Sequence, residues 1–288
     1  MPTVTRQIPK AKSGPGLRSG GSVLDRIAPI RSTSVGRLKV SLYGNPKTGK
    51  TRIACTFPKP LLIIGAEDGT ASVAGLKNVD FVQLEQTDEL TTLLEHKIRG
   101  GDYATVVLDT ATKFRDMRTE EIFKVAGITP PEKKPFLYAD AVWKSVWVQC
   151  AQDMKRFLHP LLDLPRTQEI NIVIIAQEQN LYGEANNASE VIRPTISSAL
   201  GKSVADWLNS ECDYIGQTLI RAQTTERVQE VAGKELRTKV STGKKEYCLR
   251  IGPHETYYTG FRQRIGAPEL PEFVVNPTYE KIVKLIQG

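Results

Sequence analysis

Eight consecutive residues, Gly44-Asn45-Pro46-Lys47-Thr48-Gly49-Lys50-Thr51, constrain this chain more than any other feature in it. They fit the pattern G-x-x-x-x-G-K-[ST], a loop that wraps phosphate groups in main-chain N–H donors. Such a loop needs a strand before it and a helix after it. The preceding run, Leu38-Lys39-Val40-Ser41-Leu42-Tyr43, is strand-like, and Arg52-Ile53-Ala54-Cys55 is compatible with a helix. The glycines free N–H groups to turn toward a phosphate, and the helix start adds partial positive charge.

The rest of the chemistry follows from what a phosphate loop requires. Lys50 is expected to reach the β- and γ-phosphates, and the Thr51 hydroxyl to ligate Mg²⁺. A carboxylate at the tip of a buried strand must support the metal through water. Asp109, closing Ala104-Thr105-Val106-Val107-Leu108, meets that need. A further group must orient the attacking water. Glu67 follows the apolar run Leu61-Leu62-Ile63-Ile64-Gly65 at the strand end where open α/β sheets bind ligands, with Asp68 as the alternative. Gln177, at the end of strand 171–176, carries an amide able to follow the γ-phosphate and move with it. A second apparent loop tail, Gly201-Lys202-Ser203, is a decoy, because Ile196 stands where the first glycine belongs.

Strand-like runs at 37–43, 60–65, 79–84, 104–109 and 171–176 alternate with helix-like runs at 87–99, 111–126 and 139–160. The continuous apolar stretches imply strands covered on both faces, hence a mostly parallel sheet flanked by helices. In the helix at 87–99, Leu90, Leu93, Leu94 and Ile98 repeat at helical spacing. Residues 127–138 read as an inserted loop. After 210, short strands at 214–221, 227–231, 236–240, 246–251 and 256–259, with turns at Ala232-Gly233-Lys234 and Thr242-Gly243-Lys244-Lys245, predict antiparallel hairpins that extend the sheet. A final helix is expected at 278–286. The fold class is therefore α/β, with a domain over 37–288 behind a basic arm at 1–36.

That arm holds Arg6, Lys10, Lys12, Arg18, Arg26 and Arg31 against Asp25, most of the net charge of +7. Residues 1–20 are too poor in apolar side chains to offset ordering entropy and are expected to be disordered. Their basic charge suits nucleic-acid phosphate. Residues 22–30 form a small apolar island. No apolar run approaches the ~18 residues of a membrane span, and no secretory signal is expected. The four cysteines, at 55, 150, 212 and 248, are widely spaced and read as reduced thiols.

Taken in order, the phosphate loop, Ala66-Glu67, Val106-Val107-Leu108-Asp109 and Ile174-Ile175-Ala176-Gln177 resemble the RecA-type ATPase core. The closer resemblance is to compact RecA-like ATPases of bacteriophages linked to single-strand annealing and recombination. It extends over roughly 37–265 and includes Tyr257-Tyr258-Thr259-Gly260-Phe261-Arg262-Gln263-Arg264. The resemblance implies ATP and Mg²⁺ as cofactors, Glu67 as the catalytic glutamate, and Gln177 as a nucleotide sensor ahead of a mobile DNA-binding loop at 178–200. In that loop Tyr182 suits a base and Arg193 a phosphate, although Glu178, Glu184 and Glu190 keep it from being a basic patch. It also implies a homo-oligomer whose sites are completed by cations from a neighbour, with Lys244, Lys245, Arg262 and Arg264 as candidates. Single-stranded DNA, other replication or recombination proteins, and a bacterial or phage-infected cytoplasm complete the expectation. Two alternatives stay open: an ATP-responsive single-strand-binding module with little turnover, and a small-molecule kinase on the same loop.

Overall fold

The computed structural model describes residues 37–67, 73–127, 141–181, 195–231, 234–263 and 265–287. The arm at 1–36, Asp68, residues 128–138 of the expected inserted loop, residues 182–194 of the expected DNA-binding loop with Tyr182 and Arg193, residues 232–233 of the expected turn, and Arg264 lie outside the described residues.

In chain order the elements are β1 (Lys39–Gly44), α1 (Lys50–Ala54), β2 (Leu61–Gly65), β3 (Val79–Gln83), α2 (Glu89–Leu93), β4 (Thr105–Asp109), α3 (Ala111–Ala126), α4 (Ala141–Asp163), β5 (Asn171–Leu181), β6 (Thr195–Ser198), α5 (Lys202–Glu211), β7 (Tyr214–Val231), β8 (Lys234–Arg250), β9 (Gly260–Phe261), β10 (Phe273–Val275) and α6 (Tyr279–Gln287). A π-helical turn at Leu94–Ile98 continues α2. The strands form one sheet in the order β10-β8-β7-β1-β5-β4-β2-β3, with β6 added to β5 and β9 to β7. From β7 across to β3 every pairing is parallel.

The continuous apolar runs split by alternation, because successive strand residues point to opposite faces. Leu62, Ile64, Val106, Leu108, Ile172 and Ile174 pack under α2, α3, α4 and α5. Leu61, Ile63, Val107, Val173 and Ile175 face the other way, toward Ile53 and Ala54 of α1 and Ile282 and Ile286 of α6. Each such side chain, fully buried, contributes about 1.5–3 kcal/mol. Phe57 and Tyr279 pack ring to ring at 4.9 Å, and Tyr279 N donates to Thr56 Oγ1 at 2.8 Å, which fastens α6 beside α1.

Several expectations change after residue 177. The stretch 178–200 is not a single loop: β5 runs on to Leu181, and β6 returns antiparallel to it from Thr195. The decoy Gly201-Lys202-Ser203 opens α5, a helix that polar Lys202, Ser203 and Asp206 conceal in sequence while Val204, Ala205 and Leu208 are buried. The expected short strands at 214–221, 227–231, 236–240 and 246–251 are two long ones, β7 of 18 residues and β8 of 17. β7 is parallel to β1, and β8 and β9 pair antiparallel to it. Thr242-Gly243-Lys244 is not a turn. It is a bulge in β8, where the pairing jumps from Ala222–Lys245 to Thr224–Ser241, and Gly243 takes a φ of 75° there. Residues 256–259 form no strand and make a single bridge, Tyr257 to Ile196.

Candidate functional site

The carboxyl end of β1 lies level with Gln177 of β5 and Thr218 of β7, because Gly44 pairs with Gln177 on one side and Thr218 on the other. Gly65 pairs with Asp109 two strands away. From β1 the chain re-enters the sheet at β2, with β5 and β4 between them, so a crevice opens along this rim. The phosphate loop, Glu67, Asp109 and Gln177 all occupy that rim.

Local packing fixes the loop. A Cβ on Gly44 would lie 2.3 Å from Thr218 Oγ1 and 2.4 Å from Thr218 O, so only glycine fits where β7 closes on β1. Gly49 has a φ of 90° and would meet the Tyr247 ring of β8 at 3.2 Å. Thr48 Oγ1 donates to Asn45 O at 2.7 Å and lies 2.6 Å from Thr218 Oγ1, which pins the turn from inside. Asn45, Pro46 and Lys47 stay exposed. Helix α1 is only five residues long, so its dipole is short. Main-chain N–H groups and Lys50 carry more of the task of meeting phosphate charge.

Lys50 is buried, and its Nζ donates to Gly44 O at 2.8 Å and Asn45 O at 2.7 Å. These bonds hold the ammonium at the loop. Burial lowers its pKa, and the carboxylates of Asp109 and Glu178 oppose that shift. Thr51 Oγ1 donates to Asp109 Oδ2 at 2.6 Å. Burial pushes the Asp109 carboxyl upward, the Thr51 bond and Lys50 pull it down, and the charge of Glu67 adds to the rise. Glu67 is exposed, and its charge acts on Asp109 from the solvent side of the rim.

Gln177 is held by its main chain. Its N–H donates to Thr112 Oγ1 at 2.9 Å, and its carbonyl accepts from Ala199 N at 2.7 Å. Its main chain thus bonds both to α3 and to the segment leading from β6 into α5.

The candidate cations separate. Arg262 pairs with Asp213 at 2.7 Å, and Asp213 N donates to Lys39 O at the start of β1. That is the opposite edge of the sheet, five strand steps or about 17 Å from Gly44. Arg262 has no access to its own chain's phosphate loop. Lys244 and Lys245 are exposed on the β7–β8 hairpin where it projects past the phosphate-loop rim.

Sequence reasoning missed three contributors. Glu178 accepts from Asn45 Nδ2 and, at 3.0 Å, from Gln217 Nε2, so its carboxylate spans from β5 over the end of β1 to β7. Thr218 closes on Gly44, and Tyr247 covers Gly49 beneath the Arg52 guanidinium, 5.6 Å from the ring centroid. Each lies far from the loop in sequence, and only strand register brings it there.

A family model described as an AAA domain matches residues 37–262, most of the chain. No curated protein matches it. The matched span begins just before β1 and contains the phosphate loop, Asp109 and the whole rim built around them. The chain belongs to this AAA domain family, and its core is a nucleotide-binding domain of the P-loop ATPase type.

Proposed function

We propose that the protein binds ATP with magnesium, hydrolyses it, and uses the cycle on single-stranded DNA as a homo-oligomer in phage-type recombination, annealing or replication. One observation carries the nucleotide part: the Thr51 hydroxyl and the Asp109 carboxylate touch at 2.6 Å beside a buried Lys50. Two hard oxygen donors at a phosphate loop suit Mg²⁺, which keeps several waters and takes few protein ligands. The metal, when bound, would neutralise charge on the phosphates. Lys50 would hold the β- and γ-phosphates, Glu67 would orient water from the exposed side, and Asp109 would support the metal's water shell.

The DNA part rests on the resemblance of the motif order and on the placement of Gln177. Its main chain lies beside Gly44 and continues straight into the β5–β6 extension. A γ-phosphate contact at Gln177 would move that extension. The exposure of Glu67 favours low turnover in the isolated chain, rising when DNA or a neighbour orders the rim.

The test is ATP turnover with magnesium, with and without single-stranded DNA, in the wild type and in Glu67→Gln. Stimulation by DNA is expected, and Glu67→Gln should bind ATP yet turn it over slower by on the order of 10²-fold. A well-folded sample with no affinity for any nucleoside triphosphate in magnesium would refute the proposal.

A further inference from the structure

On the far side of the β5–β6 extension lies a cavity of about 580 Å³, separate from the phosphate loop. Its lining includes the rings of His254, Tyr257 and Tyr258, with Lys202 and Asp206 from α5. We propose that this cavity takes an unpaired base of a single-stranded nucleic acid, with Tyr258 as its stacking platform. The inference rests on the single-strand reading above and names the site for it.

The aromatic wall is built to stay in place. The Arg250 guanidinium lies 4.1 Å from the centroid of the Tyr257 ring and is itself buried, bonded to Glu272 at 3.2 Å. His254 meets the edge of Tyr257 at 4.9 Å. Its Nδ1 accepts from Thr256 N at 3.0 Å and Tyr257 N at 3.3 Å, which fixes the orientation of the ring. Tyr258, next in the chain, is 44% exposed. An exposed tyrosine beside a braced pair of rings gives a base a flat face to stack on, and stacking of this kind needs an unpaired base.

The polar groups suit a nucleotide. Lys202 and Asp206 pair at 2.7 Å with their side chains 78% and 49% exposed. Such a pair is worth little in water. The ammonium can exchange Asp206 for a phosphate, and the released carboxylate can accept from a base N–H. Lys202 also borders a second cavity, of about 550 Å³, with Lys155 on its rim. A strand with a base in the first cavity would pass its backbone over these two cations.

The cavity is tied to the nucleotide site through hydrogen bonds. Tyr258 N donates to Ile196 O at 2.9 Å. The Tyr43 hydroxyl donates to the same carbonyl at 3.2 Å, and Tyr43 immediately precedes Gly44 of the phosphate loop. Ile196 N in turn donates to Thr256 O at 2.7 Å. The carbonyl shared by Tyr43 and Tyr258 thus lies between the two sites.

The test is the affinity of the full chain for a fluorescently labelled oligo-dT, read by anisotropy in the presence of magnesium and a nonhydrolysable ATP analogue. Tyr258→Ala should weaken binding by roughly five- to 150-fold, the value of one stacked base. Tyr258→Phe, which keeps the ring, should bind as the wild type does. Undiminished binding by Tyr258→Ala, or an equal loss in Tyr258→Phe, overturns this site alone. A wild-type protein that binds no oligo-dT sinks the single-strand reading itself, and this site with it.

Discussion

Ile172, Val173, Ile174 and Ile175 in β5 are each fully buried, whereas Val240, in the outer part of β8, is 43% exposed. Both segments are long strands of the same sheet. The first is sealed between helices on two faces, and the described outer residues of the second, 240–245, are exposed. Ladder hydrogen bonds exchange with water at little net gain, while buried apolar area is a large stabilising term. The apolar burial that stabilises the fold is therefore concentrated at β1, β5, β4 and β2, and the described outer residues of β8, 240–245, add little to it.

Lys50→Ala gives the largest effect. Lys50 sits on the rigid side of this contrast, with its Nζ held by Gly44 O and Asn45 O. Truncation leaves the loop without its ammonium and should reduce ATP turnover by on the order of 10³-fold, measured in a steady-state assay. Near-normal turnover would mean that the rim is not the catalytic centre.

The same contrast governs what the sequence reveals. Leu61-Leu62-Ile63-Ile64 and Ile172-Val173-Ile174-Ile175 announce themselves because both faces of their strands need apolar side chains. The eight loop residues and Asp109 are legible because their chemistry is local to one strand end. The hairpin lacks such a signal. Thr224 and Thr225 face Ser241 and Val240 across it, and nothing in that composition sets the length of β7 or β8. Gly243 resembles a turn residue because a bulge uses the same positive φ. Glu178 reads as a loop acid, since only the parallel register of β5 against β1 carries it over Asn45. Helix α5 is hidden because it opens on the polar, exposed pair Lys202-Ser203.

Ile174→Ala comes next. The side chain is completely buried against the layer of α3 and α4. Its loss should cost about 2–5 kcal/mol and lower the melting temperature by roughly 5–15 °C in calorimetry. A shift under a degree or two would show that this layer relaxes to fill the gap, and that the core is less rigid than its burial implies.

Val240→Ala gives the smallest effect. In the single chain the substitution removes two methyl groups from a side chain that is partly in water, so stability should change by no more than about 0.5 kcal/mol, under roughly 2 °C in melting temperature. The pairing partner, Thr225, is itself exposed, so little packing is lost with it. The measurement is most useful as a dilution series. A small effect at every concentration places the outer hairpin in solvent, as the chain alone presents it. A loss that grows with protein concentration would show that a second copy covers Val240, and would carry the nearby Lys244 and Lys245 toward that copy, where a cation from a neighbour would be required.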